Sequence, residues 1–219
     1  MVPTSNSDAD ALQFEVEALC ATARWCYARG WVPATSGNFS VRAGQHILIT
    51  PTGLDKGTLT PAGLLEVDLA GAVQTPGVKP SAETALHLVL YRERPEAGAI
   101  LHVHTVWNTL ISARYVSRGY VPIEGYEILK GLSAVTTHAH IERVPVLENS
   151  QSYEELSRQL GEALEANPHA HGVLLSRHGL YTWGQSVAEA RRHLEALEFL
   201  FQVEERRLQA GQPETLIDL

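Results

Sequence analysis

Segments with a two-residue apolar period alternate with segments of helical period along almost the whole chain, and this interleaving restricts the fold more than any other feature. Helical spacing begins at Ala11, with Leu12, Val16, Leu19 and Ala23 on one stripe and Gly30 ending the run. Residues 38–42 and 46–50 then read as strands. Thr60-Pro61 reads as a cap and first-turn proline of a short helix before a strand at 65–68. Lys79-Pro80-Ser81 caps a helix over 82–94, and the apolar stretch 99–104 is a strand followed by a helix over 106–114. A short strand at 144–147 comes next. The capping boxes Ser152-x-x-Glu155 and Ser186-x-x-Glu189 open two further helices, the second with Leu194, Leu197, Phe201 and Leu208 on one stripe. Between them, 172–176 and 180–183 read as strands around a turn at Gly179. No repeat or linker interrupts the pattern, so the expectation is a single layered α/β domain over residues 1–219, with 1–10 and 211–219 as loose tails.

Composition narrows the partners. The 219 residues carry 17 basic and 25 acidic side chains, a formal charge of −8, without a Lys/Arg run, which argues against nucleic acid as partner. Cys20 and Cys26 fall on different faces of one helix and read as free thiols. The polar start MVPTSNSDAD has no signal-peptide pattern, and no apolar stretch is long enough to span a bilayer, so the expected place is the cytoplasm and no membrane contact is expected.

Ten histidines are the unusual feature of the composition. His102-Val103-His104 ends an apolar strand, and residues i and i+2 of a strand share a face, so the two imidazoles can converge on one ion or serve as a partly buried structural pair. His138-Ala139-His140 and His169-Ala170-His171 repeat the spacing in polar surroundings and read as solvated. A catalytic divalent site usually needs a third protein ligand. His178 is the candidate, at a turn beside Gly179, where backbone can approach closely. His87 and His193 lie within helices and read as packing or surface residues.

Three polar turns could cradle an anion: Thr35-Ser36-Gly37-Asn38, Thr50-Pro51-Thr52-Gly53 and Lys79-Pro80-Ser81, the last opening a helix. Two acids are candidates for general base, Glu83 in the first turn of that helix and Glu127, which has no obvious structural duty.

In order and spacing, Ser36-Gly37-Asn38-Phe39-Ser40, Thr50-Pro51-Thr52-Gly53, Lys79-Pro80-Ser81-Ala82-Glu83, His102-x-His104 and His178-Gly179 resemble the class II aldolase/adducin family, over about residues 12–208. The resemblance implies a three-layer α/β/α sandwich around a mixed, largely antiparallel sheet. It implies one divalent ion per subunit, of the zinc type, on His102, His104 and His178, and a phosphorylated ketose held by Ser36, Gly37, Asn38, Thr52, Gly53 and Ser81, with Lys79 beside them. It implies a homotetramer with sites near subunit interfaces. His102–Thr109, Glu127-Ile128-Leu129-Lys130-Gly131 and His178–Gly184 resemble the family's dehydratase branch, in which the acid matching Glu127 is the base; in the aldolase branch it is the acid matching Glu83. The expected reaction is metal-dependent dehydration of a methylthio-substituted ketose phosphate in methionine salvage. Sugar-phosphate aldol cleavage and a non-catalytic, adducin-like interaction module are the alternatives. Where the aldolase motif often has a second serine, this chain has Ala82.

Overall fold

The strands are β1 (Asn38–Ala43), β2 (His46–Ile49), β3 (Leu65–Asp68), β4 (Ala99–Val103), β5 (Tyr120–Ile123), β6 (Glu142–Leu147), β7 (Gly172–Leu175) and β8 (Gly179–Gly184). The helices are α1 (Asn6–Ala28), α2 (Thr84–Glu93), α3 (Val106–Tyr115), α4 (Tyr153–Ala166) and α5 (Val187–Gln209). The computed structural model describes residues 6–75, 77 and 79–213. Its strands form one sheet in the order β3-β2-β1-β4-β8-β7-β6-β5. Every pairing is antiparallel except β6 with β7.

Helices cover both faces, giving the expected three-layer α/β/α sandwich. Leu156, Leu160 and Leu164 of α4 recur at helical spacing and join Leu86 and Leu90 of α2 in one apolar cluster against Ile47, Ile49, Ile100 and Val173. The opposite cluster gathers Leu19 and Ala23 of α1, Ile111 of α3, and Leu194, Leu197 and Phe201 of α5 against Phe39, Leu101 and Val103. Strand β4 is buried throughout, as a central strand covered on both faces must be. Its alternate residues therefore enter different cores: Ala99, Leu101 and Val103 one, Ile100 the other. By the same period His102 points to the face that Ile100 does.

Local chemistry sets several boundaries. Ser152 and Ser186 accept from the backbone N–H groups of Glu155 and Glu189, so both foreseen serine caps form, but without the reciprocal half of a box: Glu155 accepts from Arg158 and Glu189 from the backbone N–H of Gln185. A complete capping box forms at Thr105 and Asn108, directly after His104. Four expectations need correction. Ser81 accepts from the Glu83 N–H in a turn that precedes α2, and the helix begins only at Thr84, with Glu83 at its N-cap position and no side-chain cap bond. Helix α1 starts at Asn6 rather than Ala11, because polar residues extend a helix once the apolar stripe is anchored; residues 1–5 and 214–219 of the expected tails lie outside the described residues. Thr60 makes no side-chain cap, and Pro61–Gly63 is a single 3-10 turn. Strand β5 was not foreseen: it is short, contains Pro122, and lies at the sheet edge, where a missing N–H costs no ladder bond. Among the described residues, no helix is long and apolar enough to cross a membrane, and both cysteines are free and buried.

Candidate metal centre and substrate cleft

The end of β4 delivers two imidazoles to one point. His102 is fully buried, and its ring lies flat on Tyr181, its direct partner across β8, with 3.8 Å between centroids. Its Nδ1 stands 3.0 Å from the carbonyl oxygen of Leu180. A carbonyl only accepts, so Nδ1 carries the proton and Nε2 offers its lone pair. His104, one residue beyond the strand, turns its Nε2 to within 2.8 Å of that nitrogen.

The turn between β7 and β8 adds His178. Arg177 takes a left-handed φ of 56° there, and His178 Nδ1 lies 3.2 Å from Asn149 Oδ1, which leaves Nε2 facing inward. Gly179 lets this turn sit against β4, because a Cβ would stand 2.4 Å from the Val103 carbonyl oxygen and 2.7 Å from His102 Cε1. Glu83, at the N-cap position of α2 but with no side-chain cap bond, approaches from the other side. Its Oε1 is 2.9 Å from His178 Nε2 and its Oε2 is 3.6 Å from His102 Nε2. One ligand atom from each of Glu83, His102, His104 and His178 lies within 4.8 Å of all the others.

The electrostatics favour a cation at this point. Burial pushes His102 well below its ordinary value and His104 down to about 4, so both rings are neutral. Burial would raise Glu83, but His102, His178 and Asn38 outweigh it and hold the carboxyl far below the usual range. A neutral His102 cannot also be the positive partner of Glu83. A divalent ion removes the conflict, because it needs neutral imidazoles and an ionised carboxylate. Nitrogens about 2.0–2.1 Å from a tetrahedral ion stand roughly 3.3 Å apart; His102 and His104 bring theirs to 2.8 Å, and the four ligand atoms all lie within 4.8 Å. The residues therefore fit a divalent metal.

Beside this group opens a cleft of about 290 Å³, lined among others by Ser36, Gly37, Asn38, Thr52, Gly53 and Ser81. Gly37 has φ +72°, and a Cβ there would stand 2.6 Å from the His102 carbonyl oxygen. Only glycine brings this turn so near the ligand strand. The hydroxyl of Ser36, a residue of the cleft wall, is shut off from solvent and has no hydrogen-bond partner among the described residues. A larger cavity of about 660 Å³, by Trp183 and His171, lies toward the other end of β8, and among the described residues it holds no metal-ligating group of this kind.

A family profile described as "Class II Aldolase and Adducin N-terminal domain" matches residues 17–204. The chain belongs to the class II aldolase and adducin family. It is 45% identical over 196 residues to a protein of Serratia proteamaculans named methylthioribulose-1-phosphate dehydratase, covering 89% of this chain and 96% of the relative. It is 48% identical over 197 residues to a Methylococcus capsulatus protein of the same name, covering 89% and 95%. Among solved structures, L-fuculose-1-phosphate aldolase of Thermus thermophilus superposes with a TM-score of 0.71 at 30% identity, covering 90% of this chain and 96% of that one. A sugar-phosphate aldolase of Thermotoga maritima shares the fold, with a TM-score of 0.71 at 21% identity over 93% and 98% of the two chains.

In this class II aldolase-family chain the foreseen residues divide. His102, His104, His178 and Glu83 meet, and all six turn residues line the adjoining cleft. Lys79 is exposed and is not part of the cleft wall. Glu127 does not join His102, His104 and His178 of its own chain: its side chain is 72% exposed, pairs with Lys130 at 2.5 Å and lies 3.7 Å from His138. Sequence reasoning missed Lys56 and Tyr153, which line the cleft. It also undervalued His87, which is buried and bonds to Asn38. His171, expected in solvent, instead packs its ring 3.1 Å from the buried Glu142 carboxylate, which also meets His140 at 2.9 Å.

Proposed function

We propose that the chain is a methylthioribulose-1-phosphate dehydratase, a lyase that removes water from 5-methylthioribulose 1-phosphate to give the 2,3-diketo-5-methylthiopentyl 1-phosphate in methionine salvage. The observation that carries the reading is the meeting of three imidazoles and Glu83 at the mouth of a polar cleft able to take a phosphate. Preference for dehydration over carbon–carbon cleavage rests on the 45–48% identity to proteins named for that reaction, over nine-tenths of the chain, against 30% to a fuculose phosphate aldolase.

His102, His104 and His178 would hold the ion, zinc in this proposal, with Glu83 as a fourth donor or adjacent acid. A bound divalent ion supplies Lewis-acid polarisation of a ketone and acidifies the neighbouring C–H. The phosphate docks on backbone N–H groups and hydroxyls of Ser36, Gly37, Asn38, Thr52, Gly53 and Ser81. A carboxylate removes the C3 proton, the C4–O bond breaks, and the hydroxyl leaves as water after gaining a proton. The remaining enol tautomerises to the diketone. Glu127 is the base in this reading. Since it stands on the surface of its own chain, it acts on the site of an adjoining copy, in keeping with a cytoplasmic homotetramer whose sites lie near subunit contacts.

Incubation with 5-methylthioribulose 1-phosphate tests the reading. The expected product has lost one water and kept its five-carbon skeleton; fragments from C3–C4 cleavage would assign the chain to the aldolase reaction instead.

A further inference from the structure

Lys56 is a buried cation with unused donors. It opens the 3-10 turn Lys56–Thr58, lines the cleft, and is 2% exposed. Lysines are almost never so buried unless paired. Yet among the described residues Lys56 forms no ion pair, and its Nζ makes one hydrogen bond, 2.6 Å to the carbonyl oxygen of Thr35. An ammonium has three donors, so two remain for something else. Burial lowers Lys56 to about 8, offset in part by the charges of Glu83 and the neighbouring Asp55.

The position is informative in two ways. Thr35 and Ala34 both hold left-handed backbone, with φ of 63° and 52°, a conformation that costs energy for residues with a side chain. They lead straight into Ser36-Gly37-Asn38, so the Lys56 bond braces the turn whose serine hydroxyl lacks a partner. Moreover, the foreseen anion contacts are neutral N–H and O–H groups, while the same cleft is lined by the Glu83 carboxylate. A dianion entering there meets a like charge and needs a positive one. Lys79 cannot supply it from outside the wall.

We propose that Lys56 is the charged anchor of the phosphate subsite: one N–H holds the Thr35 carbonyl, and the other two donate to the phosphate of the substrate. This rests on the reading of the cleft as the seat of a phosphorylated ligand. The phosphate is remote from the bonds that change, so the contact is equal in the bound substrate and in the transition state. Its loss therefore raises KM and leaves kcat largely intact.

Calorimetry with inorganic phosphate, on the full-length, metal-loaded chain, is the test. Lys56→Gln keeps a donor for Thr35 but no charge; Lys56→Arg keeps the charge. The glutamine variant should bind phosphate at least about tenfold more weakly and raise KM by a like factor with kcat changed less than about threefold, while arginine restores most of the affinity. In the wild type, phosphate should also protect Lys56 from an amine-reactive reagent, read by peptide mass spectrometry, which needs no variant to fold. Equal phosphate affinity in wild type and Lys56→Gln, absence of protection, or a fall in kcat at constant KM overturns the role of Lys56 alone. Failure of the wild type to bind phosphate at all overturns the reading of the cleft, and this role with it.

Discussion

His87 Nε2 lies 2.6 Å from the side-chain oxygen of Asn38, and this contact decides which end of the Asn38 amide faces Glu83. The Asn38 amide nitrogen donates to Glu83 Oε2, a carboxylate that only accepts. The Asn38 oxygen must then accept from His87 Nε2–H. His87 Nδ1 accepts from Ser40, 2.7 Å away, and Ser40 accepts from the Tyr91 hydroxyl at 2.9 Å. Burial lowers His87 to about 3, so the ring stays neutral and the direction of the chain is fixed.

Replacing His87 by Phe removes a donor and an acceptor while roughly keeping volume. It leaves the Asn38 oxygen and Ser40 short of a partner, at about 1–3 kcal/mol each. The expected result is a lower melting temperature and a loss of kcat of about tenfold or more as Glu83 loses its orientation. His87→Gln, which can still donate to Asn38, should recover most of the kcat. Steady-state kinetics and thermal melts on both variants check this; equal kcat in the Phe variant and wild type would show that the chain of bonds only fills space.

Glu198 lies buried in α5 against the start of α3, just after His104, and accepts from Thr105 Oγ1 at 2.6 Å and Asn108 Nδ2 at 2.9 Å. Burial pushes it up to about 7, against the pull of those two donors. A carboxyl raised from 4.5 to about 7 is favoured by folding in its protonated form. Its contribution to stability is full below the unfolded value and is lost as pH rises through the folded one. Wild-type melting temperature should therefore fall, relative to Glu198→Gln, as pH rises from 5 to 8. Melts of the two proteins across that range decide it; a constant difference would show that Glu198 does not titrate in this way.

How far these sites were readable in the sequence depends on the range of the forces that make them. His102 and His104 were readable because a shared face follows from strand geometry alone. The Ser152 and Ser186 caps were readable because a cap spans four residues. Lys56 was not, because its burial comes from α1: the Tyr27 ring packs so near Gly57 that a Cβ there would stand 2.8 Å from it. Nor was His171, whose loop looks polar by composition. Its ring and its backbone N–H meet Glu142 on β6, a neighbour only once β6 and β7 pair in parallel. Glu127 lacks an obvious structural duty in the sequence, and its exposed place, beside Lys130 and His138, keeps it apart from His102, His104 and His178 of its own chain.

If Glu127 serves an adjoining copy, two inactive proteins can complement each other. Glu127→Gln and His104→Ala, each expected to lose nearly all activity, should recover up to about a quarter of wild-type activity when unfolded and refolded together in equal amounts, since a quarter of the sites in a cyclic assembly then pair an intact histidine set with an intact acid. Glu127→Gln should also melt with the wild type, because surface substitutions usually change stability by less than about 0.5 kcal/mol. Continued inactivity of a mixture that does assemble would remove Glu127 from the partner's site.

The metal centre itself is tested most directly by metal analysis of the purified chain beside its His102→Ala, His104→Ala and His178→Ala variants, with circular dichroism to establish that each is folded. One equivalent of a divalent transition metal per wild-type chain is expected, with a large loss of it in every variant. A full equivalent retained by folded variants, or no affinity for such a metal in the wild type, would contradict a shared three-histidine centre.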